Sequence, residues 1–113
     1  MSNVDAPTEG IPAVAPKGAL DLANARDLGS RLAELAGENG HQAILDLSGV
    51  TFIDSIGLGV VLKAASRFHR QGKRLLIVAP PGPVHRILEF AGVTDRLAIH
   101  QSVDEARAII RQG

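Results

Sequence analysis

The run Asp54-Ser55-Ile56-Gly57-Leu58 is the stretch of this chain with the clearest chemical potential. It follows an apolar segment and opens a helical pattern, so Ser55 stands at a loop-to-helix junction. A serine hydroxyl in that position has three uses. It can cap the helix by accepting from a backbone N–H two or three residues on. It can act as a nucleophile if a base reaches it. It can also face outward, where another protein can modify it. Short polar residues at such junctions are most often simple caps. Capping and modification are compatible, since one serine can cap in one state and be modified in the other.

Other chemistries fit less well. Ile53-Asp54-Ser55-Ile56-Gly57 resembles a Gly-x-Ser-x-Gly nucleophile elbow, but Ile53 stands where the first glycine belongs. The histidines at 41, 69, 85 and 100 show no triad order and read as surface or packing residues. His69 and Arg70 suit the negative end of a helix dipole. Gly57-Leu58-Gly59 lacks the third glycine of a dinucleotide fingerprint, and no Gly-Lys-Ser/Thr forms a phosphate loop. The chain has no cysteine and no ligand spacing for a metal, so neither a metal nor another cofactor is expected. Formal charge is zero, and there are three phenylalanines but no tryptophan or tyrosine. That balance argues against nucleic acid as a partner and against a base-stacking platform.

The elements that must position Ser55 follow from the pattern of apolar residues. With 113 residues, 45% of them apolar, the chain fits one domain with a real core. Residues 1–10 are polar and read as a flexible arm or a weak edge strand; 11–113 read as the domain. Ile11 to Ala15 is a short strand that Pro12 and Pro16 confine to an edge or a strand end. Asp21 caps a helix with Leu22, Ala25, Leu28, Leu32 and Leu35 on its inner face. Gly37, Asn39 and Gly40 end it in a turn. Ala43 to Leu47 is a buried strand, and Val50 to Ile53 leads to the junction.

The second helix, from about Ser55 to Gln71, carries a core stripe of Leu58, Val61, Leu62, Ala65 and Phe68. Ile56, Gly59, Val60, Lys63 and Arg67 lie on its other side. Two glycines early in a helix cost roughly 1 kcal/mol each relative to alanine, which makes sense if something must approach the backbone closely. Gly72-Lys73 closes the helix. Leu75 to Ala79 is a strand, Pro83 starts a third helix with Val84, Ile87, Leu88 and Ala91 at helical spacing, and Leu97 to Ile99 is a last strand. Ser102 and Glu105 form a capping box before a fourth helix with Val103, Ala106, Ile109 and Ile110 inward. Alternation of strands and helices predicts an α/β domain with a largely parallel sheet. No run reaches the ~20 apolar residues of a membrane span, and the N-terminus lacks a signal-peptide pattern, so a cytoplasmic protein is expected.

Several motifs, in order, carry a family resemblance. Asp54-Ser55-x-Gly57-Leu58 resembles the phosphorylation-site motif of STAS-domain proteins, the anti-sigma factor antagonists of bacteria. Gly18-Ala19-Leu20-Asp21 matches the Gly-x-Leu-Asp before that family's first helix, and Leu45 to Val50 the strand before its switch. Gly92-Val93, then Ile99-His100-x-Ser102-Val103-x-Glu105-Ala106, matches its C-terminal run. The chain departs from the family in its short, proline-rich N-terminus. The resemblance implies a STAS-like α/β sandwich: a mostly parallel sheet of four to five strands with about four helices.

It also implies a partner switch and no catalysis. In this family a serine kinase, itself an anti-sigma factor, binds the antagonist and phosphorylates it at the motif serine; a serine phosphatase resets it. Carried to this chain, the modified residue is Ser55. The docking face comprises Asp21, Asp54 and Ser55, with Ile56, Gly57, Leu58, Gly59, Val60 and Lys63 from the start of the helix. The alternatives are a STAS adaptor subunit of a stress-signalling or phospholipid-transport complex, and a small Ser55-dependent hydrolase. The hydrolase requires a base within hydrogen-bond reach of the serine.

Overall fold

The computed structural model describes residues 3–5, 11–37 and 42–112. Most of the N-terminal ten residues, including Pro7 and Gly10, lie outside the described residues, as do Asn39, Gly40 and His41. A five-stranded sheet runs in the order β1 (Asn3–Asp5), β2 (Ala13–Pro16), β4 (Gln42–Asp46), β6 (Arg74–Val78), β7 (Ala98–His100). β1 is antiparallel to β2, and every other neighbouring pair is parallel. A second, two-stranded parallel sheet pairs β3 (Gly18–Leu20) with β5 (Val50–Ile53). Four helices complete the described chain: α1 (Ala25–Gly37), α2 (Ser55–Arg70), α3 (Pro83–Phe90) and α4 (Val103–Gln112).

The central strands are buried on both faces, which is why they read as unbroken apolar runs. Alternate residues divide between two layers. Ala43, Leu45, Leu75 and Ile77 join the large core under α1, α2 and α3, with Leu28, Leu32, Phe68 and Leu88 fully buried. Ile44, Leu76 and Val78 face the other way, onto Ala106 of α4. Each large side chain taken fully from water contributes about 1.5–3 kcal/mol, so this double-sided packing fixes the sheet firmly.

Three expectations are corrected. β2 lies between β1 and β4, so of the two places its prolines allow, an edge or a strand end, the strand end holds. Its prolines are tolerated because Pro12 precedes the strand, its carbonyl accepting from Ile44 N at 2.9 Å, and Pro16 is the last residue. Gly18–Leu20 and Val50–Ile53 are strands in their own right, where the sequence pattern marks only a lead into the first helix and to the junction. The β3–β5 pairing shifts register between Gly18 and Ala19; the φ of 81° at Gly18 suits glycine, and its N–H donates to the Gly49 carbonyl at 3.0 Å. Helix α1 starts at Ala25, so Asp21 is not its cap and Leu22 is 76% exposed outside the core.

The third correction is at the other end of the chain. Ser102 Oγ accepts from Glu105 N at 3.0 Å, but the Glu105 carboxylate turns to His100 Nδ1 at 3.3 Å, so half of the reciprocal box forms. In the same helix Ile109 is 37% exposed. The stops read from the sequence hold at Gly72 and Gly92, with φ of 71° and 70°, and Lys73 N donates back to the Phe68 carbonyl at 2.8 Å.

Candidate functional site

β3 and β5 end side by side, with Leu20 paired to Ile53. Asp21 and Asp54 are the next residues of each strand, so the small sheet brings these two acids to one edge. Asp54 N donates to the Leu20 carbonyl at 3.1 Å, tying the two strand ends together at the point where α2 begins.

Asp54, and not Ser55, caps α2. Its backbone is extended (φ −96°, ψ −177°) and its Oδ1 accepts from Gly57 N at 2.8 Å. Its own carbonyl takes the first helical bond, from Leu58 N at 2.9 Å. The carboxylate also complements the positive end of the helix dipole. This leaves Ser55 as the first helical residue, exposed, its hydroxyl bonded to no described residue. Among the described residues no base hydrogen-bonds to Ser55, and no group of three His, Asp or Glu is arranged to hold a metal ion.

Beside this cap lies a second locked turn, which sequence reasoning took for the start of a helix. Asp21 Oδ1 accepts from Ala23 N at 3.0 Å, and Asn24 Oδ1 accepts from Asp21 N at 3.0 Å. Asn24 Nδ2 reaches back to the Ala19 carbonyl at 2.6 Å. Asn24 is thus a supporting residue that sequence reasoning missed. The available signal was the pair Asp21 and Asn24 at turn spacing, both residue types that bond local backbone. The turn lifts Leu22 into solvent; it and Ile56 line the same cleft.

The expected docking residues divide by burial. Asp21 and Asp54 are half-buried; Ser55, Ile56, Gly59 and Lys63 are exposed. Gly57 is buried and faces inward, so it is not on the surface. A Cβ there would stand 2.5 Å from the Leu20 carbonyl oxygen and 3.1 Å from Ile53 Cγ1. The close approach of α2 to β3 by itself requires glycine there. Gly59 is the opposite case: a Cβ there would meet only open space. Leu58 is half-buried against the core.

The stripe of α2 is accordingly rotated from the expected one. Gly57, Val61, Ala64 and Phe68 are buried, while Leu58, Leu62 and Ala65 form its margin on one side and Val60 on the other. Val60 is part of the seam with α1: its Cγ1 lies 3.4 Å from where a Cβ on Gly29 would be. The physical reason is the contact at Gly57, which draws that side of the helix onto β3.

Known proteins resemble the chain in sequence and in fold. An anti-sigma F factor antagonist of Paenibacillus polymyxa is 30% identical over 59 residues, a match covering 52% of this chain and 50% of that relative, so the chain spans about half the length of that protein. The crystal structure of an anti-sigma factor antagonist from Mycobacterium paratuberculosis superposes with a TM-score of 0.88 at 19% identity, covering 97% of this chain and 93% of that one. The anti-sigma factor antagonist SpoIIAA in its unphosphorylated form has a TM-score of 0.72 at 15% identity, with 99% of each chain covered. At these identities the structural likeness speaks for the fold. The family model for the STAS domain matches residues 6–106, and the chain belongs to the STAS domain family.

Proposed function

We propose that this STAS domain is an anti-sigma factor antagonist that works by partner switching in the cytoplasm. It binds a serine kinase of the anti-sigma type, is phosphorylated by it at Ser55 and thereby loses affinity, and is reset by a serine phosphatase. The domain itself catalyses nothing. The observation that carries this reading is the division of labour at the helix start. Asp54 does the capping, so the Ser55 hydroxyl is exposed and uncommitted. The names of the Paenibacillus relative and the Mycobacterium neighbour support the antagonist role. The SpoIIAA structure is that of an unphosphorylated form, a distinction that supports phosphorylation as the switch.

In this reading Asp21, Asp54, Ser55, Ile56, Gly59, Val60 and Lys63 contribute to the docking face, with Gly57 and Leu58 supporting it from beneath. Mass spectrometry after incubation with the kinase and ATP tests it: phosphate is expected on Ser55 alone. Phosphate on Ser30, Ser48 or Ser66 with Ser55 unmodified overturns the assignment. An unmodified chain that co-purifies with a larger assembly favours the adaptor role instead.

A further inference from the structure

A groove lies along the seam of helices α1 and α2, with Ile56, the residue after Ser55, at one end. Its wider end, about 620 Å³, opens between Leu22 and Ile56, which are 76% and 48% exposed. Its narrower end, about 310 Å³, has a floor of small residues, Gly29, Ala33 and Ala64, and is rimmed by Arg26, Lys63 and Arg67. Val60 and Arg26 line both parts, so the two meet at these residues. Arg26, Lys63 and Arg67 form no ion pair with any described residue, although the chain as a whole is neutral. The acid on the groove wall is Asp27, at the wider end. From Ile56 to Arg67 the groove follows α2 for about 16 Å, the length of three helical turns.

We propose that this groove docks an acidic amphipathic helix of the partner protein, about three turns long. One end of that helix places apolar side chains between Leu22 and Ile56. The other sets its carboxylates against Arg26, Lys63 and Arg67. The small residues of the floor let a helix backbone approach, in the manner of other helix-in-groove complexes. The three cations, unpaired among the described residues, supply the charge complementarity that selects an acidic segment and steers its encounter. The inference rests on the binding role proposed above and extends it from the serine to a second, charged contact region.

Photo-crosslinking in the native cell tests it, with p-benzoylphenylalanine placed at Ser30 on the groove rim and, separately, at Ser55 as a reference. The expected result is a Ser30 cross-link to a segment with carboxylates and apolar residues at helical spacing. Lys63→Glu with Arg67→Glu should reduce that cross-link at least tenfold, with an unchanged circular dichroism spectrum. Should the double reversal fail to fold, Lys63→Gln with Arg67→Gln takes its place and should reduce it severalfold. A cross-link to a basic or neutral segment, a cross-link to a second copy of this chain, or none from Ser30 overturns the proposal. A kinase captured from Ser55 with nothing from Ser30 leaves the switch standing and removes the groove. An acidic helix captured from Ser30, in a protein that is not a kinase, does the reverse.

Discussion

Gly57 and Gly59 are two residues apart on one helix and have opposite reasons to be glycine. At Gly57 an added methyl would stand 2.5 Å from the Leu20 carbonyl oxygen, a backbone atom with little freedom to yield. Gly57→Ala is therefore expected to destabilise the fold by about 1–3 kcal/mol, the range for overpacking a close contact, even though alanine is the better helix former. At Gly59 nothing stands within 4 Å, so Gly59→Ala is expected to stabilise the isolated domain by up to ~1 kcal/mol. Urea unfolding midpoints of the two variants check both signs. If Gly59 is kept for close approach of a partner, the same substitution weakens kinase binding while raising stability. Asp54→Ala should cost about 1 kcal/mol through loss of the cap on Gly57 N. Ser55→Ala should leave stability nearly unchanged, because the serine hydroxyl bonds no described residue; equal losses for the two would show that Ser55 shares the cap.

Helix α2 is the element on which core and surface must be told apart. Val61 is fully buried, Leu62 lies at the margin of the stripe and Ile56 is 48% exposed. Aspartate at these positions should lower the melting temperature in the order Val61, Leu62, Ile56, because the cost of an unpaired charge grows with burial. Ile56→Asp should stay within about 0.5 kcal/mol of the parent while weakening kinase binding; an Ile56→Asp loss as large as that of Val61→Asp would refute the division of faces. The helix itself was legible in the sequence, from the apolar spacing of Val61 and Phe68 to the stop at Gly72. Its rotation was not, because that depends on a tertiary contact between Gly57 and Leu20, which are far apart in the chain. The four helices and the parallel central strands were legible for the same reason as α2: their periodicity is a local property. The small sheet was not, since Gly18–Leu20 is too short to show a period and exists as a strand through its pairing with β5. At the site, the residue types were legible and the assignment of roles was not. Asp54 and Ser55 are both good caps, and only the extended backbone at Asp54 decides between them.

At the scale of the whole molecule, the site sits at the end of the small sheet, while β6 lies within the large sheet and α4 packs on the face opposite α1 and α2. A phosphate on Ser55 brings about −1.5 to −2 charges at neutral pH. It would stand at a helix N-terminus, where the dipole favours an anion, so it should not melt α2. Asp54, and Asp21 at the neighbouring strand end, repel it toward solvent and the partner. Affinity is then lost at the contact itself, and the two forms should share one backbone. Amide chemical shifts are expected to differ around Ser55 and Asp21 alone; changes reaching Arg74–Val78 or α4 would show a rearrangement through the core. The tie between the two strand ends has a further consequence for how a kinase meets its substrate. Ser55 is held in the first turn of a capped helix, anchored through the Asp54 N–H to the Leu20 carbonyl and through the tight contact at Gly57. An excised peptide has neither anchor and adopts no fixed shape. In the proposed switch the enzyme therefore reads a folded surface and not a linear consensus, so a synthetic fragment covering 50–60 should be a far poorer phosphate acceptor than the intact domain. Specificity among similar antagonists in one cell would then reside in the shape and charge around the serine, where substitutions can redirect signalling without touching the acceptor.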